Sequence, residues 1–139
     1  MQITEHFSLE ELTRSATADK KHITNVPNDT HLANLTKLCE EILEPLRKAY
    51  GKPIKITSGY RCAALNKAVG GSATSQHVNG QAVDIQATDG NHAKLFATAR
   101  KLKLPYDQLI WEYGDKKQPK WVHISLSPRN RRQVLYLFG

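Results

Sequence analysis

Cysteine is scarce in this 139-residue chain, and the two that occur form no recognisable framework. Cys39 and Cys62 stand apart, with neither in a CxxC pair, so a disulfide scaffold and thiolate ligation of zinc are both unexpected. Cys39 falls on the apolar stripe of a predicted helix, where a free thiol behaves as a small hydrophobic side chain. We therefore interpret both cysteines as structural.

Long apolar runs are also missing. No stretch approaches the roughly 20 apolar residues that a membrane helix needs, so membrane insertion is not expected. The opening residues lack a basic segment followed by an apolar one, which predicts a protein made in the cytoplasm without a signal peptide. Repeats, linkers and low-complexity tracts are absent as well. We expect residues 1–139 to form a single domain.

Acidic residues are fewer than basic ones, so the formal net charge is +7 and the sequence pI is near 9.5. This favours an anionic partner such as a nucleic acid, an anionic membrane or a bacterial cell wall. The interleaving of basic and aromatic residues that is typical of single-strand binders is not present. Nucleic-acid binding therefore rests on charge alone, and we do not expect it.

Helical and strand patterns alternate along the chain. A capping box at Ser8 and Glu11 starts a helix over 8–14, and residues 15–27 look irregular. Further helices are predicted over 28–51 with an interruption at Pro45, over 62–69 and over 90–103. Strands are predicted over 53–57, 81–86, 106–113, 120–126 and 132–138. The expected class is α+β, with an antiparallel sheet of about four strands flanked by helices.

Candidate metal ligands stand in two polar segments. Ser75-Gln-His-Val-Asn-Gly-Gln-Ala-Val-Asp84 places His77 and Asp84 seven positions apart, and Trp121-Val-His-Ile-Ser-Leu126 supplies His123. A lone histidine is more often a polar or hydrogen-bonded structural residue than a ligand. Two imidazoles and one carboxylate, however, would form a three-ligand zinc site with an open fourth position, the arrangement of catalytic zinc.

Strand alternation supports this convergence. Val122, Ile124 and Leu126 would share the core face of their strand, which leaves His123 on the other face. Asp84 stands likewise opposite its apolar neighbours. If the two strands are adjacent, Asp84 and His123 can point into one cleft.

Three segments then occur in an order and at distances that are familiar: Ser58-Gly-Tyr-Arg61, Ser75-x-His77-x-x-Gly80-x-Ala82-x-Asp84 and Trp121-Val-His123-Ile-Ser125. In these segments the chain resembles the zinc D-Ala-D-Ala carboxypeptidase and L-alanyl-D-glutamate endopeptidase family of the hedgehog/DD-peptidase superfamily. It looks most like the compact phage-type branch. The resemblance implies that His77, Asp84 and His123 bind Zn²⁺ and that the substrate is a peptidoglycan stem peptide. The resemblance also implies that residues 1–139 are a single zinc peptidase catalytic domain without a separate cell-wall-binding domain. We expect a monomer.

The resemblance also implies roles beside the metal. Arg61 matches the arginine that holds substrate, and an arginine fork suits the carboxylates of stem peptides. The alternative is that Arg61 forms a structural salt bridge. Ser75 matches the serine of the ligand motif, which supports the metal shell or the substrate.

The position of the general base in this sequence departs from the pattern that is common in the family. Many members carry Glu or Asp three residues before the last ligand, where this chain has Lys120. Other branches place a glutamate at the end of the preceding strand, and Glu112 fits that arrangement. We predict that Glu112 is the base, with Asp115 and Asp107 as alternatives. A plain strand-end carboxylate is the competing interpretation of Glu112.

Two functional hypotheses follow. The leading one is a zinc peptidase that acts on the cell wall as a phage or prophage lysin, after holin-type release or as a virion component. The D-Ala-D-Ala bond and the L-Ala-D-Glu bond are both candidate targets. The alternative is a non-catalytic, zinc-stabilised cell-wall-binding or virion structural module. Lys120 and Trp121 favour it, since hedgehog-like domains keep the zinc and use the surface for partners. Trp121 also stands where some relatives have a second histidine.

Overall fold

Five β-strands form one sheet in the computed structural model, which describes residues 1–139. They are β1 (Ile54–Ser58), β2 (Ala82–Ala87), β3 (Gln108–Glu112), β4 (Trp121–Ser125) and β5 (Gln133–Leu137). The order across the sheet is β1-β2-β4-β3-β5, and every neighbouring pair is antiparallel except β3 and β5. The chain reverses after β4 and passes to the far side of β3, so β5 takes the direction of β3.

Six α-helices accompany the sheet: α1 (Leu9–Thr13), α2 (Ala16–Lys20), α3 (Asp29–Leu38), α4 (Glu44–Tyr50), α5 (Ala63–Ala68) and α6 (His92–Lys101). The predicted α+β class is confirmed, with five strands where about four were expected. None of the helices combines the length and the apolar character that crossing a membrane requires.

The first helices show how caps decide local structure. The capping box predicted for α1 is present, because Ser8 accepts the Glu11 amide and the Glu11 side chain reaches back to the Ser8 amide. The prediction of an irregular segment over 15–27 was wrong for α2. The Ser15 hydroxyl accepts the amide of Ala18, which is buried, and this cap supports a five-residue helix in a polar segment.

Pro45 interrupts the long helical segment, as predicted. A π-helical turn, Cys39–Leu43, precedes α4, and the Glu44 amide donates to the Cys39 carbonyl. Such a turn lets the helical path continue where proline removes one amide donor. Cys39 is fully buried in this turn and Cys62 is half-buried, both as free thiols, which agrees with structural roles.

The helices bury one face of the sheet. Val83 and Ile85 of β2 and Val122 and Ile124 of β4 have no exposed surface. They pack in one cluster with the apolar residues of α3, the π-helical turn and α4. Because side chains alternate along a strand, the side chain of Asp84 points to the opposite face of the sheet, where the polar residues of the site lie.

Candidate metal centre and cleft

Strand register brings two of the predicted ligands face to face. Asp84 of β2 lies directly opposite His123 of β4 in an antiparallel pair, so the two side chains project from the same face. Ser58 of β1 pairs with Asp84 on its other side. The predicted adjacency of the two strands is therefore present in the fold.

His77 reaches this face from a 3₁₀ turn, Gln76–Asn79. The Ser75 hydroxyl accepts the His77 amide at 3.3 Å, and the Arg61 amide donates to the His77 carbonyl at 3.1 Å. Gly80 ends the turn with φ of 71° at a point where an added Cβ would lie 2.5 Å from the His31 carbonyl oxygen. Only glycine combines that backbone conformation with so little space. Ser75 thus supports the segment that carries His77.

The three side chains converge. His77 Nε2 lies 3.5 Å from Asp84 Oδ2, and His123 Nδ1 lies 3.0 Å from Asp84 Oδ1. One nitrogen or oxygen atom from each residue falls within 4.8 Å of the others. Ligands about 2.0–2.1 Å from a tetrahedral zinc ion are separated by roughly 3.3 Å, so the spacing fits one metal ion.

Hydrogen bonds and nearby side chains keep the candidate ligand atoms in the protonation state that binds a metal ion. His77 Nδ1 donates to the Gly59 carbonyl at 2.7 Å, which leaves the lone pair on Nε2 directed at the group. Burial alone would raise the pKa of the Asp84 carboxyl. The contacts of the carboxylate with the His123 and His77 imidazoles outweigh burial and hold the pKa of Asp84 well below its usual range. Asp84 is therefore an anion, as metal ligation requires.

Glu112 shares the polar face with the three candidate ligands. It ends β3 opposite Trp121, and its Oε1 lies 3.4 Å from His123 Nδ1. Burial and the nearby Asp84 carboxylate raise the pKa of Glu112, while the two imidazoles partly oppose the shift. A raised pKa brings the carboxyl closer to neutral pH, where it can both accept and return a proton.

The two alternative bases have other partners. Asp107 has no exposed surface, and its carboxylate accepts hydrogen bonds from Arg131 and from Gln76. Asp115 accepts the amides of Lys117 and Gln118 in the β3–β4 turn and does not line the cleft. The geometry therefore favours Glu112 over both.

Arg61 lies beside the group with its charge uncompensated. Its Nε donates to the Ser58 hydroxyl at 3.3 Å and its Nη1 to the Asn66 side-chain oxygen at 3.1 Å. No carboxylate lies within 4.0 Å of its guanidinium. The structural salt bridge considered as an alternative is not formed, and two neutral acceptors orient the guanidinium instead.

The side chains open onto a cleft of ≈ 730 Å³. Its lining includes the three candidate ligands with Glu112, Trp121 and Arg61. A neighbouring groove of ≈ 540 Å³ shares Arg61 and Asp84 with the cleft, so open space extends on two sides of the group. This shape suits an extended ligand better than a compact one.

Sequence reasoning did not identify Gly59 as part of the site. Its carbonyl orients His77, and a Cβ on Gly59 would lie 2.2 Å from the Leu12 carbonyl oxygen. That oxygen also accepts the Tyr60 amide at 2.7 Å. The glycine of the Ser-Gly-Tyr-Arg segment was the available signal, because glycine permits close approach of backbones.

We expect Gly59→Ala to destabilise the fold by roughly 1–3 kcal/mol, because the new methyl group overlaps the backbone of α1. Zinc affinity should fall by about 10- to 100-fold, since the acceptor that orients His77 is displaced. Urea unfolding and competitive zinc titration measure the two effects. Gly70→Ala is the control: its φ of 75° strains an alanine by about 1–2 kcal/mol, but nothing lies within 4 Å of the added Cβ, so zinc affinity should not change. Wild-type zinc affinity in Gly59→Ala would refute the orienting role.

Asp107 joins the metal-site turn to the rest of the fold. Its Oδ2 accepts from Gln76, the residue before His77, at 2.8 Å, and from Arg131 Nη2 at 2.8 Å. Its Oδ1 accepts both the amide and Nε of Arg131. The Arg131 hydrogen bond, with help from Gln76, holds the pKa of the Asp107 carboxyl well below its usual range.

We expect Asp107→Asn to destabilise the fold by about 2–4 kcal/mol at pH 7, because an amide cannot accept all four hydrogen bonds. The folded-state pKa is depressed, so the carboxylate's contribution is complete above its unfolded pKa of about 3.9 and is lost as pH falls below that value. In urea unfolding, the difference between wild type and variant should stay constant from about pH 7 to about pH 5 and shrink below about pH 4. Asp19→Asn, at an exposed position, is the control. A difference for Asp107→Asn that does not change with pH would contradict the argument.

A buried group of two histidines and one carboxylate, with a glutamate on the same face and an open cleft, is typical of metal-dependent hydrolases. The chain matches the Peptidase M15 family over residues 5–125. It therefore belongs to this family of zinc D-Ala-D-Ala carboxypeptidase-like peptidases, as its motifs indicated. A search of the curated proteins finds no match.

Proposed function

We propose that this protein is a zinc-dependent peptidase that hydrolyses the stem peptides of peptidoglycan. One observation carries the proposal most: His77, Asp84 and His123 converge within 4.8 Å, and Glu112 lies on the same face. Membership of the M15 peptidases supports the class of reaction.

His77, Asp84 and His123 would hold the zinc ion, through His77 Nε2, an Asp84 oxygen and His123 Nδ1. When bound, zinc supplies Lewis-acid chemistry, polarising the scissile carbonyl and making water more acidic. The Gly59 carbonyl keeps the His77 proton on Nδ1, so that Nε2 stays available as a ligand.

Glu112 would act as the general base and then as the general acid. Its carboxylate accepts a proton from the water that attacks the peptide carbon, and the same proton passes to the leaving amine. Water's oxygen ends in the new carboxylate, and the C–N bond breaks. Arg61 would bind a substrate carboxylate and hold the scissile bond in register with Glu112.

We further propose that the protein acts on the cell wall as a phage or prophage lysin. The net charge of +7 supports this, because walls carry acidic polymers and attract a basic protein. Holin-type release or incorporation in a virion would bring it to the wall. The proposed active form is a monomer.

Amine release from purified peptidoglycan tests the proposal. The zinc-loaded protein should generate new amino groups, and a chelator should abolish the release until zinc is restored. Mass spectrometry of the digest identifies the bond, through loss of a terminal D-Ala or separation of L-Ala from D-Glu. Sedimentation with walls but no new amines from several bacterial types would support the non-catalytic binding module instead and contradict the peptidase.

A further inference from the structure

Two further arginines line the cleft beyond the family motifs. The loop between β4 and β5 contributes Arg129 and Arg131 to the same cleft that holds Arg61 and the candidate ligands. This loop follows the segment that matches the M15 family, which ends at residue 125. The loop therefore lies outside the segment that carries the family match.

Arg131 anchors the loop. Its guanidinium donates to both oxygens of the buried Asp107, at 3.0 and 2.8 Å, and its amide donates to Oδ1 at 2.8 Å. The Gln133 amide donates to the Asp107 carbonyl at 2.9 Å. Because the charge of Arg131 is neutralised by Asp107, it serves the fold rather than a ligand.

Arg129 differs from Arg131 because its side chain has no acceptor. Its amide donates to the Ser127 hydroxyl at 3.3 Å, and the Asn130 amide donates to the Ser127 carbonyl at 3.1 Å. These bonds fix the backbone of the loop tip. Arg129 is exposed, and no carboxylate lies within 4.0 Å of its guanidinium. The anchored loop therefore presents a free cation to the cleft.

The charge pattern in the cleft is uneven. Its two carboxylates, Asp84 and Glu112, lie at the candidate metal centre and face histidines. The two arginines without an acidic partner, Arg61 and Arg129, both line the same cleft. A ligand that fills the cleft meets two separate cationic groups, and bidentate carboxylate binding suits both.

We propose that Arg129 binds a second substrate carboxylate while Arg61 binds the first, so that the enzyme selects peptides with two free carboxylates. The proposal rests on the proposed function. A stem peptide offers both groups: its terminal D-Ala carboxylate, and the carboxylate of D-Glu that is not used in the peptide bond. Arg129 is a specificity residue in this scheme, without a part in proton transfer.

Calorimetric binding tests this without relying on turnover. The host is zinc-loaded Glu112→Gln, which keeps the peptide intact. The probes are L-Ala-γ-D-Glu-L-Lys-D-Ala-D-Ala, the same peptide amidated on D-Glu, and the same peptide amidated at its C-terminus. Arg129→Gln is compared with Arg132→Gln, which removes an equal charge from the same loop but from a side chain outside the cleft lining.

We expect Arg129→Gln to weaken binding of the diacid by about 10- to 100-fold, as loss of a charged hydrogen-bond partner does. The affinity of one of the two monoamidated peptides should not change with the substitution. The carboxylate that is amidated in that peptide is the one that Arg129 contacts. Arg132→Gln should change every affinity by less than about twofold.

Equal weakening of all three peptides, equal effects of the two arginine variants, or failure of the diacid to bind the host would overturn the proposal. Turnover by the enzyme with Glu112 intact distinguishes failure of this proposal from failure of the proposed function. Wall cleavage that Arg129→Gln leaves unchanged, with unchanged diacid affinity, refutes only the role of Arg129. Peptide binding that depends on Arg129 without any cleavage refutes only the peptidase.

Discussion

Glu112→Gln is expected to lower kcat on stem peptides by about 10²- to 10⁴-fold, because an amide cannot accept the proton of the attacking water. The substitution keeps the size of the side chain and leaves all three candidate ligands in place. Zinc content should therefore stay at one ion per chain. Kinetics of amine release, with metal analysis of the same samples, measure both effects.

Asp115→Asn is the matched control for this change. Asp115 lies in the turn just after β3, and its carboxylate accepts backbone amides that an asparagine oxygen can also accept. Its activity should stay within about twofold of wild type. An active Glu112→Gln variant would show that another group takes the proton, and an inactive Asp115→Asn variant would direct attention to the turn.

His123→Asn is expected to weaken zinc binding by more than about 100-fold, since even changes behind a ligand cost about 10- to 100-fold. The variant removes one of three donors and leaves Asp84 without its partner in the opposite strand. Activity should fall with the metal. Excess zinc should restore part of the activity if the remaining two ligands still bind weakly.

Thermal unfolding gives an independent readout of the same change. Zinc at 100 times its Kd should stabilise the wild type by about 2.7 kcal/mol, which corresponds to a rise in Tm of roughly 8 °C for a chain of this size. His123→Asn should show little of this rise. His22→Asn is the control, because His22 is exposed and Asn tolerates its φ of 55°. Equal zinc-induced shifts in both variants would exclude His123 as a ligand.

The strand-borne part of the site could be predicted from sequence because alternation is a local rule. The apolar residues at 83, 85, 122 and 124 fixed the core face of β2 and β4, so Asp84 and His123 had to face the other way. Adjacency of β2 and β4 is not local, and the family motifs supplied it. The structure agrees, with Asp84 opposite His123.

The remaining contacts depend on residues far apart in the chain. The Gly59 carbonyl reaches His77 across 18 positions, and Asp107 reaches Gln76 across 31. No spacing rule predicts such hydrogen bonds, because turns and loops must first be placed by the packed core. The parallel pairing of β5 with β3 could not be predicted either, because the residue pattern of β5 does not indicate which strand lies beside it.

Anomalous diffraction at the zinc edge, on crystals of the zinc-loaded protein, tests the central claim most directly. The predicted result is one strong peak bounded by His77 Nε2, the Asp84 carboxylate and His123 Nδ1, with Glu112 beside it. No peak at this position, or a zinc ion held by other residues with these three side chains turned apart, would contradict the metal centre and the peptidase built on it.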